Sequence, residues 1–328
     1  MHIKNHQDAS AGPLLSERCI KYIGNVIDSN TLGDFKKNIR KVPDCDDEEE
    51  EAIFDFLEAV LQAIHVVYLA KQDLCDGEAT FNSLLLYPFL NAVCFFVSES
   101  VAGSNIEFKV GEAFLKSMSK QLKNSNAIND SCQYKADGIL KMYLDKEVEV
   151  ALLETSSHFC SKDKAKSSFD HHKGAYGALA MLKNIADEYC FATAETFSRL
   201  KVIFIHAADD KVFIWSIRYV QECSIFEMWE EKALEINTSP SAKSVFVPEC
   251  ITFYLYMKEV LSSTARCVLQ LKSEHEEVLR QCRFRATKPS PTLKAIVKPS
   301  ILKLTEEEDK SGMAELGPFY SNPPSPEA

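Results

Sequence analysis

The 328-residue chain contains little glycine and little tryptophan, 11 and 2 residues respectively. It has no glycine-rich phosphate loop, which argues against nucleotide-dependent enzymes of the P-loop and dinucleotide-binding types. It also lacks an excess of positive charge, since 37 lysines and arginines stand against 48 aspartates and glutamates, for a net charge of -11. The molecule as a whole therefore repels polyanions and is not a basic coat protein for nucleic acid, although a local basic groove remains compatible with this charge.

Signals for secretion, membrane insertion and disulfide formation are weak or missing. The sequence that begins Met1-His2-Ile3 lacks the apolar core of a secretory signal peptide. The most hydrophobic stretch, residues 84–97, contains Pro88 and Asn91 and is shorter than the ~20 residues that a spanning helix needs. The 11 cysteines are odd in number and irregularly spaced, which favours buried free thiols. We expect an intracellular protein, cytoplasmic or nuclear, that does not bind a membrane.

Composition and periodicity predict an α+β fold. We expect a helical N-terminal segment, a central mixed β-sheet flanked by helices, a long C-terminal helix and a disordered, proline-rich tail. The predicted segments are an N-terminal arm with an acidic run (1–50), a helical segment that packs on the core (51–130), an α/β core (131–240), the C-terminal helix (241–285) and the tail (286–328).

The first part of the chain is predicted to be helical. Apolar residues recur at three- and four-residue intervals behind the acidic run at 46–51, which indicates an amphipathic helix over 52–71. The acids at its start suit the helix dipole. A second helix is expected to open at Gly77 and to bend at Pro88, and a third is expected over 110–123.

From residue 134 onward the pattern changes to extended segments. Runs of alternating and continuous apolar residues, separated by short polar turns, predict strands. A lysine- and serine-rich loop at 161–168 separates two of these strands from a long helix. The expected elements are strands at 134–143 and 147–154, a helix at 170–189, a hairpin at 201–207 and 211–220, a strand at 224–236 and a helix at 245–285.

Three charged residues in this region form a candidate site. Asp137 lies near the start of the first strand, Glu154 ends the second, and Lys173 is expected in the first turn of the following helix. If the two strands pair antiparallel, both carboxylates lie near one sheet edge and project toward the helix. Two carboxylates and a backbone carbonyl suit a hard cation such as Mg²⁺, which activates water for attack on a phosphodiester. A nearby ammonium group would stabilise the developing negative charge.

An acid at the head of one strand, an apolar strand that ends in an acid, and then a helix resemble the layout of the PD-(D/E)XK (restriction-endonuclease-like) nuclease superfamily. The segments Lys-Ala-Asp-Gly and Asp-His-His-Lys-Gly resemble those of fungal proteins with a divergent core of this kind, over roughly residues 77–219. The resemblance implies that Asp137 and Glu154 bind Mg²⁺ or Mn²⁺. It further implies that the carbonyl of Thr155 and the carboxylate of Glu78 are additional ligands.

The chain departs from that family at one important position. The family's lysine, two residues after the glutamate, is Ser156 here, and Lys173 on the next helix is the residue that can replace it. The leading hypothesis is a divalent-metal-dependent nuclease that hydrolyses DNA or RNA with Asp137, Glu154 and Lys173 as catalytic residues. The alternative is a non-enzymatic interaction module that retains the nuclease-like fold. A third option, a helical scaffold, predicts no sheet in residues 134–220.

Structural roles for the same residues remain open at this point. Asp137 could form an ordinary turn. Glu154 could be a solvated residue at the rim of the sheet or a partner for Lys135. Lys173 could cover apolar surface with the stem of its side chain. What favours a site is that Glu154 follows four apolar residues, 150–153. A charge at such a position is costly unless a metal ion or hydrogen bonds hold it.

Other groups of reactive residues carry weaker signals. His158, Cys160, His171 and His172 are residue types that bind zinc, but their spacing matches no zinc module. A catalytic pair of Cys160 and His171 has no recognisable oxyanion hole beside it. Between residues 280 and 303 the chain has seven basic residues and no acid, which fits a solvated linker or a phosphate-binding or nuclear-targeting arm.

Overall fold

A computed structural model describes residues 15–124, 134–283 and 291–313, which fold around a six-stranded sheet. The strands are β1 (Ile106–Phe114), β2 (Lys135–Tyr143), β3 (Glu147–Ser156), β4 (Val202–Ala208), β5 (Lys211–Val220) and β6 (Ile225–Glu235). The helices of the N-terminal part are α1 (Glu17–Ile27), α2 (Leu32–Ile39), α3 (Glu48–Leu69), α4 (Glu78–Phe81), a π-helical turn (Asn82–Leu86) and α5 (Tyr87–Ser100). They are followed by α6 (Lys116–Asn124), α7 (Lys164–Glu188), α8 (Ala194–Ser198), a 3₁₀ turn (Pro240–Ala242), α9 (Lys243–Gln281), α10 (Leu293–Ile296) and α11 (Glu306–Asp309).

The strands lie in the sheet in chain order, from β1 at one edge to β6 at the other. Neighbouring strands are antiparallel except β3 and β4, which are parallel. A parallel pair needs a long crossover connection, and α7 supplies it. The predicted α+β class with a mixed sheet is confirmed. The helical-scaffold option is wrong, because residues 134–220 contain β2, β3, β4 and β5.

Helix α7 packs directly on β3 and β4. Gly174 makes this close approach feasible, since a Cβ atom at that position would overlap the ring of Phe204 on β4. Ala175 and Ala178 are buried on the same helix, so small side chains accompany the glycine. The part of α7 around residue 173 is therefore held close to the central strands.

The N-terminal helices pack against the long helix α9, with the rings of Phe89 and Tyr254 stacked 4.7 Å apart. Two helical stretches, Glu48–Leu69 and Glu78–Ser100, are long and apolar enough to cross a membrane by length and composition. In the most apolar 18-residue window of each helix, 56% and 50% of the window, respectively, is buried inside the fold, as in the core helices of a protein. The second helix is longer than the apolar stretch at 84–97, because it begins at residue 78 and continues through the π-helical turn.

Two predicted elements differ from the structure. Residues 110–123 were expected to form one helix, but their first part belongs to the edge strand β1 and the rest to α6. Gly111, at φ +81°, lies where the register between β1 and β2 shifts, so a bulge hides the strand periodicity. Helix α7 begins at Lys164 rather than at residue 170, because Asp163 caps it by accepting from the N–H of Lys166.

The predicted tail is ordered over part of its length. Leu293 and Val297 are buried, and the N–H of Leu293 donates to the carbonyl of Cys190 at 2.9 Å. The ammonium of Lys183 on α7 donates to the carbonyl of Lys294 at 3.0 Å. Residues 291–313 therefore do not form the disordered tail that was expected, whereas 286–290 and 314–328 lie outside the described residues.

We predict that Gly174→Ala destabilises the protein by about 1–3 kcal/mol, because the added methyl group overpacks the contact between α7 and Phe204. Gly24→Ala is the matched control, since a Cβ at this glycine of α1 meets no atom within 4 Å. This control should be neutral or stabilising by up to about 1 kcal/mol. Urea unfolding of both variants measures the difference, and equal stabilities would contradict the proposed close packing.

Candidate functional site

The register of β2 and β3 brings two acids to one face of the sheet. Gly138 pairs with Leu153, so the next residues in the same register are Asp137 and Glu154. Side chains directly opposite each other on antiparallel strands share a face. Oδ2 of Asp137 also accepts from the N–H of Thr155 at 2.6 Å. Asp137 is thereby held against the end of β3, where Glu154 and the Thr155 backbone lie.

Glu154 is a buried acid, 1% exposed, at the end of an apolar strand. Its Oε2 accepts from the Lys173 ammonium at 2.7 Å, and its Oε1 lies 2.9 Å from the Tyr134 hydroxyl. Burial raises the pKa of Glu154 to about 8 against the attraction of Lys173, and the charges of Asp137 and Asp170 add to the rise. Glu154 is therefore neither a solvated rim residue nor a partner of Lys135, whose ammonium binds Glu112.

The Tyr134 hydroxyl lies between Glu154 and the backbone of α7. The tyrosine hydroxyl also lies 2.8 Å from the carbonyl of Lys173. The hydroxyl proton of Tyr134 therefore has two acceptors within hydrogen-bond distance, Oε1 of Glu154 and the Lys173 carbonyl. The pKa of Tyr134 is itself raised well above its usual value by burial and by the Glu154 charge, which keeps this hydroxyl protonated.

Lys173 lies in the third turn of α7 rather than in the first turn, as predicted, because the helix starts earlier. Its ammonium contacts Glu154 and lies 4.9 Å from the centre of the Tyr134 ring. Burial lowers the pKa of Lys173, but the Glu154, Asp170 and Asp137 charges outweigh burial, and the pKa is raised overall. With 19% of its side chain exposed, Lys173 is a fixed cation that solvent can still reach.

Glu78 joins the two strand acids from the start of α4. Its side chain hydrogen-bonds Asp137, and burial together with the Asp137 charge raises the pKa of Glu78 to about 8. The charge of Asp170 raises this pKa further, while that of Lys166 lowers it. A neighbouring negative charge disfavours the ionised form of a carboxyl group. All the charged side chains predicted for the site thus belong to one cluster.

The π-helical turn after α4 fixes the backbone of the same region. The Tyr87 hydroxyl, just beyond the turn, donates to the carbonyl of Asp137 at 3.1 Å. The hydroxyl of Thr155 donates to Oδ1 of Asn82 at 2.7 Å. Such π-helical turns often occur at functional sites. Here the turn holds Glu78 near the ends of β2 and β3.

Sequence reasoning missed a second chain of contacts beside these acids. The Ser156 hydroxyl donates to Oδ2 of Asp170 at 2.9 Å and lies 2.9 Å from Nε2 of His206. Oδ1 of Asp170 accepts from the Lys166 ammonium at 3.0 Å. Burial raises the pKa of Asp170 to about 6 against the attraction of Lys166 and Lys173. The available signal was the spacing of residues 166, 170 and 173, which lie on one helix face.

The histidines do not form the zinc cluster that their residue types allow. Burial lowers the pKa of both His171 and His206 to about 3, so these rings are neutral, and His171 packs edge-on to Trp215 at 4.8 Å. The Cys160 thiol lies in an exposed loop, where partial burial and the Asp209 charge raise its pKa. Within residues 15–124, 134–283 and 291–313, no three His, Cys, Asp or Glu side chains are arranged to hold a metal ion.

The carboxyl cluster of Glu78, Asp137 and Glu154 is likewise not arranged to hold a metal ion. Both oxygens of Glu154 have protein partners, and Oδ2 of Asp137 is bonded to a backbone N–H. A cation at Glu154 would therefore have to replace the Lys173 ammonium. The donor types nevertheless suit Mg²⁺ or Mn²⁺, since Glu78, Asp137 and the Thr155 carbonyl offer oxygen atoms only.

No family model, no curated protein and no solved structure matches the chain. Its function must therefore be inferred from the geometry of the site.

We predict that Glu78→Gln stabilises the metal-free protein increasingly as the pH rises from 5 to 8. The pKa of Glu78 is about 8 in the folded state and near 4.5 in the unfolded state, so the unfolded chain binds fewer protons in this range. Folding therefore loses stability as the pH rises, and the substitution removes this loss. After allowance for solvent, the added stability should be on the order of 1–2 kcal/mol.

Urea unfolding in the presence of a chelator measures this effect at pH 5 and pH 8. Glu112→Gln is the control, because Glu112 is exposed and Lys135 holds the pKa of that carboxyl below its usual value. This control should show no gain at pH 8. A Glu78→Gln stability difference that is the same at both pH values would contradict the coupling to Asp137.

Proposed function

We propose that the protein is a divalent-metal-dependent nuclease of the restriction-endonuclease-like kind that hydrolyses phosphodiester bonds of DNA or RNA. In this proposal Asp137, Glu154, Glu78 and the carbonyl of Thr155 bind Mg²⁺ or Mn²⁺, and Lys173 contacts the scissile phosphate. The expected partner is nucleic acid and the expected location is intracellular, cytoplasmic or nuclear, without a membrane. The observation that carries the proposal is the convergence of these acids with Lys173 where β2, β3 and α7 meet.

The electrostatics of the cluster support a cation there. The negative charges of Asp137 and Asp170 add to the rise in the pKa of Glu78 and of Glu154, both of which have a pKa of about 8. Such mutual repulsion is relieved by protons or by a cation. A bound divalent ion would lower the pKa of a water molecule and neutralise charge on the phosphodiester. The all-oxygen donor set favours Mg²⁺ or Mn²⁺ over zinc.

The residues of this chain have separate tasks in the reaction. Lys173 holds Glu154 in the resting site, and after release from that carboxylate its ammonium stabilises negative charge on the phosphate. Tyr134 keeps its hydrogen bond to the Lys173 carbonyl, so the α7 backbone stays in place while the ammonium moves. Asn82 and Tyr87 fix the backbone at Thr155 and Asp137, which orients the donors before substrate arrives.

The second candidate function is a binding module without catalysis. Three observations favour it: Ser156 stands in the family's lysine position, Lys173 already neutralises Glu154, and the net charge is -11. In such a module the contact between Glu154 and Lys173 is a permanent structural ion pair. The two functions differ in whether a divalent cation enters the cluster.

We predict cleavage of plasmid or single-stranded substrates that requires Mg²⁺ or Mn²⁺. Asp137→Asn and Glu154→Gln should each reduce it by at least about 100-fold, because each removes a charged oxygen donor. Glu149→Gln is the matched control: Glu149 is also a buried acid on β3, but it caps α6 by accepting from the N–H groups of Lys116 and Ser117. Cleavage of equal rate in all three variants would assign the activity to another site or to a contaminant.

We also predict that Mg²⁺ stabilises the protein at pH 8 through the same acids. At a concentration tenfold above the dissociation constant the stabilisation is about 1.4 kcal/mol, visible as a higher melting temperature. Asp137→Asn should lose this shift and Glu149→Gln should keep it. A native protein whose melting temperature does not respond to Mg²⁺ or Mn²⁺ would favour the binding module.

A further inference from the structure

Helix α7 presents two cations, not one, beside the carboxyl cluster. Lys166 and Lys173 are seven residues apart, which places them on one helix face about 10.5 Å apart along the axis. Their side chains are 20% and 19% exposed, so solvent reaches both. Between them lies Asp170, which is 1% exposed. The face thus consists of a buried acid flanked by two partly exposed lysine side chains.

Each lysine of this pair is anchored by a different buried acid. The Lys166 ammonium lies 3.0 Å from Oδ1 of Asp170, and the Lys173 ammonium lies 2.7 Å from Oε2 of Glu154. Lys166 also lowers the pKa of Glu78, so its charge acts on the side of the cluster where α4 begins. Anchoring removes much of the conformational freedom that a lysine otherwise loses when it binds a ligand. Lys166 is therefore oriented in advance, whereas Lys173 has to leave Glu154 before it contacts a phosphate.

Ser156 connects this arrangement to the strand that carries Glu154. Its hydroxyl donates to Oδ2 of Asp170, while Oδ1 of the same carboxylate accepts from Lys166. The neutral ring of His206 lies on the other side of the Ser156 hydroxyl. Ser156 provides no positive charge, but it orients the carboxylate that holds Lys166.

We propose that Lys166 is a second phosphate-binding residue of this site and that Ser156 is a positioning residue that acts on it through Asp170. Lys173 binds the scissile phosphate, and Lys166 binds another phosphate of the same strand. The separation of about 10.5 Å along α7 is large enough for the two lysines to contact different phosphates of one strand. The inference rests on the proposed nuclease function and defines its substrate as a strand that extends beyond the cleaved bond.

Binding of a fluorescently labelled oligonucleotide, measured by anisotropy with Ca²⁺ in place of Mg²⁺ and over a range of salt concentrations, tests this proposal. Lys166→Gln should weaken binding about tenfold and reduce the salt slope by about one, as expected for the loss of one phosphate contact. Lys162→Gln is the matched control. This exposed lysine precedes α7 and pairs with Asp209, so its loss should leave the affinity unchanged.

A double-mutant cycle tests the role of Ser156. Ser156→Ala should weaken binding in the native background and add no further loss in the Lys166→Gln background. Asp170→Asn serves as a second probe of the same connection if Ser156→Ala does not fold, as judged by circular dichroism. Equal losses in both backgrounds would show that Ser156 does not act through Lys166 and would overturn its positioning role.

The outcomes separate this proposal from the proposed function. One outcome would overturn only the role of Lys166: the native protein binds the oligonucleotide, Lys173→Gln weakens this binding, and Lys166→Gln leaves it unchanged. The nuclease proposal would then stand. If the native protein does not bind the oligonucleotide with Ca²⁺, both proposals are overturned. Losses in the Lys166 and Lys173 variants, with none in the Lys162 variant, support both.

Discussion

A carboxyl group at the end of an apolar strand must find partners inside the protein, and this constraint organises the site. Glu154 is buried, and its two oxygens contact the Lys173 ammonium and the Tyr134 hydroxyl. Lys173 reaches it because α7 lies directly on β3 and β4, where Gly174 leaves room for the ring of Phe204. Tyr134 reaches it because β2 pairs with β3. One buried acid thereby fixes the relative positions of two strands and a helix.

The same cluster holds more acids than bases, and this imbalance supports the proposed cation site. Four acids face two lysines, and the pKa values of Glu78 and Glu154 are raised to about 8. A stable structural network would balance its charges with fixed partners, as the buried Glu231 does with Lys201 and with the hydroxyls of Ser216 and Tyr256. The excess of acids in the candidate site is consistent with exchange of protons for a divalent ion.

Sequence patterns predicted much of this arrangement and missed a definite part. The strands near 134–143 and 147–154 follow from apolar runs, and Glu154 is conspicuous because it ends one of them. The strand β1 was missed because its bulge at Gly111 breaks the alternation of an edge strand. Lys166 was overlooked because the lysine- and serine-rich segment resembles a loop. The sequence signal for the start of the helix that carries Lys166 is the N-cap residue Asp163.

The central claim is that Asp137 and Glu154 bind one divalent ion beside Lys173. Crystals soaked in Mn²⁺ test it most directly, because the anomalous scattering of manganese locates the ion without assumptions about activity. The account predicts one strong anomalous peak bonded to carboxylate oxygens of Asp137 and Glu154, with the Lys173 ammonium displaced from Glu154. Retention of the contact between Lys173 and Glu154, with no peak between the two acids, would contradict it.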